Sequence, residues 1–180
     1  MNTENCVVIG PAIMRYDTEK LTQFADVILA GNSKKDNEFK YAVAMRENIL
    51  QDMLNSSSFR QTIVLAPQDL YKKYVFFEQI DELPSLPEVP STGYKLNDLS
   101  EQSVALMLAL WMEKKNIYLF GYDIQDLKER AILLSILAAN PFANVFYTRK
   151  PNPAKIHLFD TYENVKVIDY NQFDEMANEK

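Results

Sequence analysis

The sequence predicts one three-layer α/β domain with a mainly parallel sheet. Short apolar runs of strand length alternate with longer segments of helical period, which is typical of a sheet built from βα units. The 180 residues suit one domain, so no second domain is expected. The composition, 47% hydrophobic and 24% charged, is close to the globular average and argues against disorder.

The N-terminal half is predicted to contain four strands and two helices. The predicted strands cover residues 6–9, 26–30, 62–66 and 74–80, and the predicted helices cover residues 18–24 and 37–54. Asp17 or Thr18 is suited to cap the first helix. Pro67 closes the third strand because proline cannot donate to a continuing ladder. The aromatic and β-branched content of residues 74–80 predicts a strand at an edge of the sheet.

The middle of the chain combines a stiff loop with an apolar helix. Three prolines in residues 83–93 predict an extended loop. A helix then runs to about Lys114, with Asp98 or Ser100 as its cap. It is apolar on nearly every side, which predicts burial on more than one face. Lys114 and Lys115 in its last turn are expected to complement the helix dipole.

The C-terminal third is predicted to continue the alternation of strands and helices. Strands are predicted at residues 117–120, 145–148 and 165–168, and a helix at residues 125–139. Residues 171–180 are expected to form a frayed helical tail. Together these elements predict a Rossmann-like domain.

Charge and cysteine content exclude several functional classes. The net charge of -6 argues against a broad surface for duplex nucleic acid. Cys6 is the only cysteine, which excludes an intramolecular disulfide and a cysteine-cluster metal site, and its apolar run predicts burial. No signal-peptide pattern occurs at the start, and no apolar run approaches the roughly 20 residues of a membrane span, so a cytoplasmic location is expected.

The glycines are the first candidates for a binding site. Only four occur, and Gly10, Gly31 and Gly121 each directly follow a predicted strand, whereas Gly93 lies in the loop before a helix. In open α/β sheets, ligands bind outside the carboxyl ends of the strands, where glycine lets a backbone approach closely. The four glycines therefore predict one cleft. Turn geometry alone is the alternative.

Phosphate-binding motifs of the common kinds are absent from the sequence. Neither Gly-x-Gly-x-x-Gly nor Gly-x-x-x-x-Gly-Lys-Ser/Thr occurs, which argues against ordinary dinucleotide-binding and P-loop proteins. Ser91, Thr92 and the N–H of Gly93 could still bind an anion if they lie near a helix N-terminus. A simple turn is the alternative.

Few residues are candidates for catalysis. His157 is the only histidine, and it is either a general base or a surface or structural residue. Asp123 follows a strand end, where it can contact a ligand or act in catalysis, with a helix N-cap as the alternative. Arg149 and Lys150 follow another predicted strand, and their positively charged side chains either bind phosphate or are simply solvated. Several tyrosines either stack on a base or pack at the rim of the core: Tyr94, Tyr118, Tyr122 and Tyr147.

Three segments carry a resemblance to a known family. They are residues 91–93 (Ser-Thr-Gly), the apolar helix around residues 105–110, and residues 116–123 (Asn-Ile-Tyr-Leu-Phe-Gly-Tyr-Asp). Together they resemble the core of bacterial sialyltransferase-like proteins, which include the lipooligosaccharide sialyltransferases and related Rossmann-like proteins. Residues 8–11 look like the first strand and loop of that family, and residues 30–32 look like a second strand that ends in a ligand-contacting asparagine.

The resemblance implies a nucleotide-binding or nucleotide-sugar-binding protein of glycosyltransferase type, with a nucleotide sugar such as a CMP-sugar as the expected donor. In an active enzyme of this type, Asp123 or His157 would assist the acceptor hydroxyl as base. The family places a lid with a catalytic histidine after the Gly-x-Asp strand, but here a helix follows Asp123 almost at once. Binding is therefore better supported than turnover. The expected binding residues are Gly10, Asn32, Ser91, Thr92, Gly93 and Gly121, with no metal.

A different functional class stays open. The alternative is that the chain is a non-catalytic structural or assembly module, for example a component of a virus particle, that has retained the fold. Its partner would be another protein or further copies of itself. A large apolar surface patch in place of a polar cleft would favour this interpretation.

Overall fold

The computed structural model describes residues 4–12, 16–31, 39–89, 93–122, 124–149, 159 and 162–178. These residues form a three-layer α/β arrangement of Rossmann-like type, as the sequence predicts. The strands are β1 (Asn5–Ile9), β2 (Asp26–Ala30), β3 (Tyr41–Val43), β4 (Ile63–Ala66), β5 (Ile80–Glu82), β6 (Asn116–Phe120), β7 (Asn144–Arg149) and β8 (Val165–Asp169). The helices are α1 (Thr18–Phe24), α2 (Glu47–Asn55), α3 (Gln68–Tyr74), α4 (Glu101–Trp111), α5 (Leu127–Ala139) and α6 (Tyr170–Asn178).

The strands form one parallel sheet in the order β5-β4-β3-β2-β1-β6-β7-β8. From β1 the chain builds outward to β5 and then returns to place β6 on the other side of β1. The order therefore reverses between β1 and β6. Because the strands are parallel, they all begin at one edge and end at the other, here named the amino edge and the carboxyl edge.

Strand alternation divides the core between the two faces of the sheet. Cys6 and Val8 point toward the face that α4 and α5 cover. Val7 and Ile9 point toward the opposite face, which α1, α2, α3 and α6 cover. A parallel sheet covered on both faces needs strands that are apolar throughout. This requirement explains why β1 is buried at every position.

Helix α4 packs across the centre of the sheet. It contacts β1, β2 and β3 on one side and α5 on another, so its residues from Glu101 to Ala109 are buried. Ser100 caps it, which confirms one of the two predicted caps. No helix in the described parts of the chain is long and apolar enough to cross a membrane.

The end of α4 differs from the prediction. The helix ends at Trp111, and Glu113 adopts a left-handed conformation with φ of 55°. The Glu113 N–H donates to Leu110 O (2.9 Å) and the Lys114 N–H donates to Ala109 O (3.2 Å), which is the Schellman pattern. Lys114 is therefore beyond the last turn, and its buried ammonium pairs with Asp26. The prediction that Lys114 complements the helix dipole from the last turn is wrong.

Two predictions in the N-terminal half are also wrong. The helix predicted over residues 37–54 contains β3, and its helical part, α2, begins only at Glu47. The strand predicted over residues 74–80 falls on the end of α3 and a turn, and β5 begins at Ile80. Phe76 is 92% exposed, so the aromatic run that predicted this strand does not pack into the sheet.

The C-terminal segment is more ordered than expected. Residues from Tyr170 form α6, and Phe173 is fully buried against the rings of Tyr118 and Phe120. The helix expected in this segment is confirmed for the described residues 171–178, and the burial of Phe173 shows that it packs against the sheet instead of fraying. Before α4, residues 83–89 carry no helix or strand, as their prolines predict.

Candidate ligand site at the carboxyl edge

At the carboxyl edge, the connections that follow the adjacent strands β1 and β6 lead to opposite faces of the sheet. After β1 it continues to α1, which packs on one face, and after β6 it continues to α5, which packs on the other. In open α/β sheets, neighbouring strands whose connections diverge in this way form the ligand-binding crevice. The centre of the carboxyl edge is therefore the candidate site.

Gly10 and Gly121 lie side by side at this divergence. The Gly10 N–H donates to Phe120 O (2.7 Å), and the Ala12 N–H donates to Gly121 O (2.9 Å). A Cβ on Gly10 would lie 2.6 Å from Gly121 O, and one on Gly121 would lie 2.8 Å from Ala12 O. Contact between the two loops therefore accounts for both glycines, and their contact with a ligand stays a prediction.

Positive φ is a second reason for glycine, and it applies to Gly121 (φ of 60°) as well as to the other two. Gly31 has φ of 74°, and Gly93 has φ of 69°, a region that side chains rarely allow. A Cβ on Gly31 would lie 3.9 Å from the side chain of Glu101, whereas one on Gly93 would meet nothing within 4 Å. Gly31 thus ends β2 directly beside the start of α4, which places Glu101 at the carboxyl edge.

An ion pair that the sequence did not indicate occupies this position. Arg46, which follows β3, donates from Nε to Glu101 Oε1 (3.0 Å) and from Nη2 to Glu101 Oε2 (2.5 Å). The hydrogen bonds to Glu101 raise the pKa of Arg46 above its ordinary value. The two side chains differ in exposure, at 65% for Arg46 and 6% for Glu101. A buried carboxylate thus fixes an exposed guanidinium.

The polar groups at the start of α4 bind a carboxylate of the protein itself. Glu129 Oε2 accepts from Ser100 Oγ (2.5 Å), Ser103 Oγ (3.1 Å) and Gln102 Nε2 (3.2 Å). The buried Tyr122 hydroxyl donates to Gln102 O (2.8 Å), and burial raises the pKa of Tyr122. The first turn of α4 is therefore occupied by Glu129. Since α4 begins only at Glu101, the loop at residues 91–93 does not directly precede it.

Five of the predicted site residues, Asn32, Ser91, Thr92, Asp123 and His157, lie outside the described residues, and their roles stay predictions. Lys150 lies outside them as well. The helix cap proposed as the alternative role of Asp123 belongs instead to Asp126, whose carboxylate accepts from the Glu129 N–H (2.9 Å).

The predicted tyrosines pack rather than form an open stacking surface. Tyr118, Tyr122 and Tyr147 are buried, which confirms their packing alternative. Tyr94 is partly exposed, and the Lys128 ammonium lies 4.6 Å from its ring centre. Arg149 ends β7 at the carboxyl edge and is partly buried.

An aromatic cluster closes the other face of the carboxyl edge. The Tyr16 ring lies 5.3 Å from Phe120 and 5.2 Å from Tyr170, measured between ring centres. Its hydroxyl donates to Asp174, and burial together with this bond raises the pKa of Tyr16. Tyr16 and Tyr170 were not among the sequence candidates, although both follow strands that end at this edge.

Charged residues at the amino edge are arranged differently. The Lys114 ammonium contacts Asp26 Oδ2 (2.9 Å), and the Lys40 ammonium contacts Asp26 Oδ1 (3.0 Å). Burial raises the pKa of the nearby Cys6 thiol to about 12, which keeps the thiol protonated and confirms its predicted burial. Beside them, asparagine side chains link the first residues of three adjacent strands: Asn144 Nδ2 to Asn116 Oδ1 (3.1 Å) and Asn116 Nδ2 to Asn5 Oδ1 (3.0 Å).

A separate apolar groove runs between α4 and α5. It has a volume of about 320 Å³, and its lining includes Val89, Met107 and Ile136. Trp111 lines it and is half exposed, while Phe142, which is 97% exposed, lines the depression that continues from it.

Comparison with family models, curated proteins and solved structures found no match. Among the described residues, no group of three or more His, Cys, Asp or Glu side chains is arranged to hold a metal ion.

Proposed function

We propose that this protein binds a nucleotide or nucleotide sugar at the carboxyl edge and is of glycosyltransferase type. The divergence of the chain after β1 and β6 carries the proposal, because such a divergence is where open α/β sheets bind nucleotides. Gly10 and Gly121, two of the predicted binding residues, meet at this point. A CMP-sugar is the donor that the resemblance implies.

The proposal is stronger for binding than for turnover. The Arg46 side chain is 65% exposed and is held at the carboxyl edge by Glu101, so it offers oriented N–H donors to a ligand there. Catalysis needs a base within hydrogen-bond reach of the acceptor hydroxyl. Asp123 and His157 stay the candidates for this base.

A thermal-shift panel tests the binding proposal. The panel contains CMP, CDP, UDP and GDP with their sugar conjugates. A ligand at 100 times its Kd stabilises the folded protein by about 2.7 kcal/mol. In a domain of this size such a gain raises Tm by roughly 5 to 10 °C. Absence of a shift with every nucleotide would contradict the proposal.

Assembly through the groove between α4 and α5 is the second candidate function. The groove and the protruding Phe142 lie on the same side of the molecule, since Leu110, Ala139 and Asn140 line both the groove and its continuation. Two copies related by a twofold axis can therefore each insert Phe142 into the groove of the other. This is a non-catalytic role in which the partner is a second copy of the chain.

Light scattering after size-exclusion chromatography tests the assembly candidate. The wild type is expected to be a dimer, and Phe142→Ser is expected to be a monomer because it removes the inserted ring. Phe76→Ser is the matched control, since Phe76 is similarly exposed but lies beyond α3, beside the opposite end of the sheet. A monomeric wild type, or a dimer that both variants retain, would rule this candidate out.

A further inference from the structure

We propose that Arg46 binds the phosphate of the nucleotide and that Glu101 positions its guanidinium. This inference rests on the proposed function and adds to it a specific contact. It also assigns a role to a residue that has no phosphate motif around it in the sequence.

The guanidinium is held from one side only. Arginine has five N–H donors in a rigid plane, and the two bonds to Glu101 use the side formed by Nε and Nη2. The bidentate geometry fixes the plane of the group, so Nη1 points away from Glu101. Because 65% of the Arg46 side chain is exposed, this remaining side is accessible to a solute.

The position of the pair suits a ligand at the strand ends. Arg46 follows β3, and Glu101 lies beside Gly31 at the end of β2, so both belong to the carboxyl edge. Gly31 N–H donates to Val43 O (3.1 Å), which ties the end of β2 to β3 below the pair. The backbone under the guanidinium is therefore fixed as well.

Phosphate is the ligand group that this arrangement fits. Planar arginine donors match phosphate oxygens, and charge-assisted bonds of this type are about twice as strong as neutral ones. Glu101 holds the guanidinium in place before binding, which lowers the entropic cost of ordering a long side chain. A nucleoside without phosphate would gain nothing from Arg46.

Isothermal titration calorimetry with CMP, UMP and GMP, each paired with its nucleoside, tests this inference. Arg46→Gln is expected to weaken binding of the nucleotide by roughly 10- to 100-fold, given the usual strength of a hydrogen bond to a charged group. Binding of the matching nucleoside should not change. Arg46→Lys keeps the charge without the planar donors and should give an intermediate loss.

Lys115→Gln is the matched control. Lys115 is 67% exposed and forms a 2.6 Å ion pair with Glu4, but it lies at the amino edge. The substitution changes the net charge by the same amount as Arg46→Gln. Because Lys115 lies away from the proposed site, both affinities should stay unchanged. If Lys115→Gln weakens nucleotide binding equally, general charge and not a contact explains the loss.

Glu101→Gln tests the positioning role. It removes the carboxylate but keeps the guanidinium, so the nucleotide should bind more weakly than to wild type, and the nucleoside equally well. A purely structural role would instead lower both affinities together. Circular dichroism confirms folding of each variant, and Arg46→Lys still decides the matter if Arg46→Gln does not fold.

The two proposals fail in different ways. If no nucleotide binds the wild type, the proposed function is wrong. If a nucleotide binds wild type and Arg46→Gln equally well, only the role of Arg46 is wrong.

Discussion

Two ion pairs at opposite edges of the sheet differ in how far their side chains are exposed to solvent. At the amino edge, the side chains of Lys114 and Asp26 are 7% and 10% exposed, and each contacts the other. At the carboxyl edge, buried Glu101 contacts a guanidinium that is mostly exposed. The contact between Lys114 and Asp26 is therefore almost wholly shielded from solvent, whereas the pair of Arg46 and Glu101 has one largely exposed partner, the arginine side chain.

Because of this difference in exposure, we expect the amino-edge pair to affect stability and the carboxyl-edge pair to affect ligand binding. A buried ion pair contributes little net stability, but removing one partner is costly because the other charge stays buried. An exposed charge with a fixed orientation contributes little stability and can meet a ligand. Substitutions at the amino edge should therefore change the free energy of unfolding, and those at Arg46 should change binding.

Asp26→Ala should give the largest loss of stability. It removes the carboxylate that the buried Lys114 ammonium contacts, so we expect a loss of about 3 kcal/mol in the free energy of unfolding. Urea denaturation at pH 7 measures it. Lys40→Ala removes the exposed partner of the same carboxylate and should cost less than about 1 kcal/mol. If the two substitutions lowered the free energy of unfolding equally, the expectation that the buried Lys114 contact matters more than the exposed Lys40 contact would be wrong.

The same contact predicts a pH dependence. Burial alone would raise the pKa of Asp26, but the hydrogen bonds from Lys114 and Lys40 outweigh it and lower the pKa below its ordinary value. A lowered folded-state pKa gives stability that is present above the unfolded-state pKa and is lost as pH falls through the folded-state pKa. The difference in stability between wild type and Asp26→Asn should therefore shrink on acidification below about pH 4. A difference that stays constant down to pH 2 would argue against this ion pair.

Gly10→Ala should give the next largest effect and tests how rigid the carboxyl edge is. The new Cβ would lie 2.6 Å from Gly121 O and 2.9 Å from Tyr122 Cα, so backbone would have to move. We expect a loss of about 2 to 3 kcal/mol by thermal or urea unfolding. Gly93→Ala, which meets no neighbour but has φ of 69°, should cost only about 1 kcal/mol. Equal losses would mean that the two loops are not packed together as described.

Glu113→Gly should give the smallest effect, and it is stabilising. Glu113 is exposed and left-handed in the Schellman motif that ends α4, a position where glycine avoids the Cβ strain. We expect a gain of about 0.5 kcal/mol, since glycine also makes the unfolded chain more flexible. Differential scanning calorimetry should show a slightly higher Tm. A lower Tm would indicate that Glu113 makes a stabilising contact at the amino edge.

The sequence predicted most of the sheet because buried parallel strands are continuous apolar runs. β2 was predicted to the residue, and β1, β6 and β7 to within a residue at each end. β3 was missed because it has only three residues, which lie within a stretch of helical period and gain their structure by pairing with β2 and β4. α3 was missed because its tyrosines and the following Val75, Phe76 and Phe77 favour a strand.

The candidate site was predictable only where it follows strand ends. The meeting of Gly10 and Gly121 follows from adjacent parallel strands, and these residues were identified from the sequence. The contact between Arg46 and Glu101 joins residues 55 positions apart, and no local pattern indicates it. One signal was available: an acidic residue in the first turn of a helix that is apolar on all sides will be buried and needs a cation.

The central position of β1 has a consequence for synthesis of the chain. β1 pairs with β6, and Asn116, the β6 partner of Asn5, is synthesised 111 residues after it. β1 therefore lacks this neighbouring strand until β6 has been made. Until then the newly made chain presents an apolar strand with one unpaired edge, the kind of surface that promotes aggregation. Pairing across such a separation is also slow. We therefore expect N-terminal fragments that stop before β6 to be insoluble, although they contain five of the eight strands.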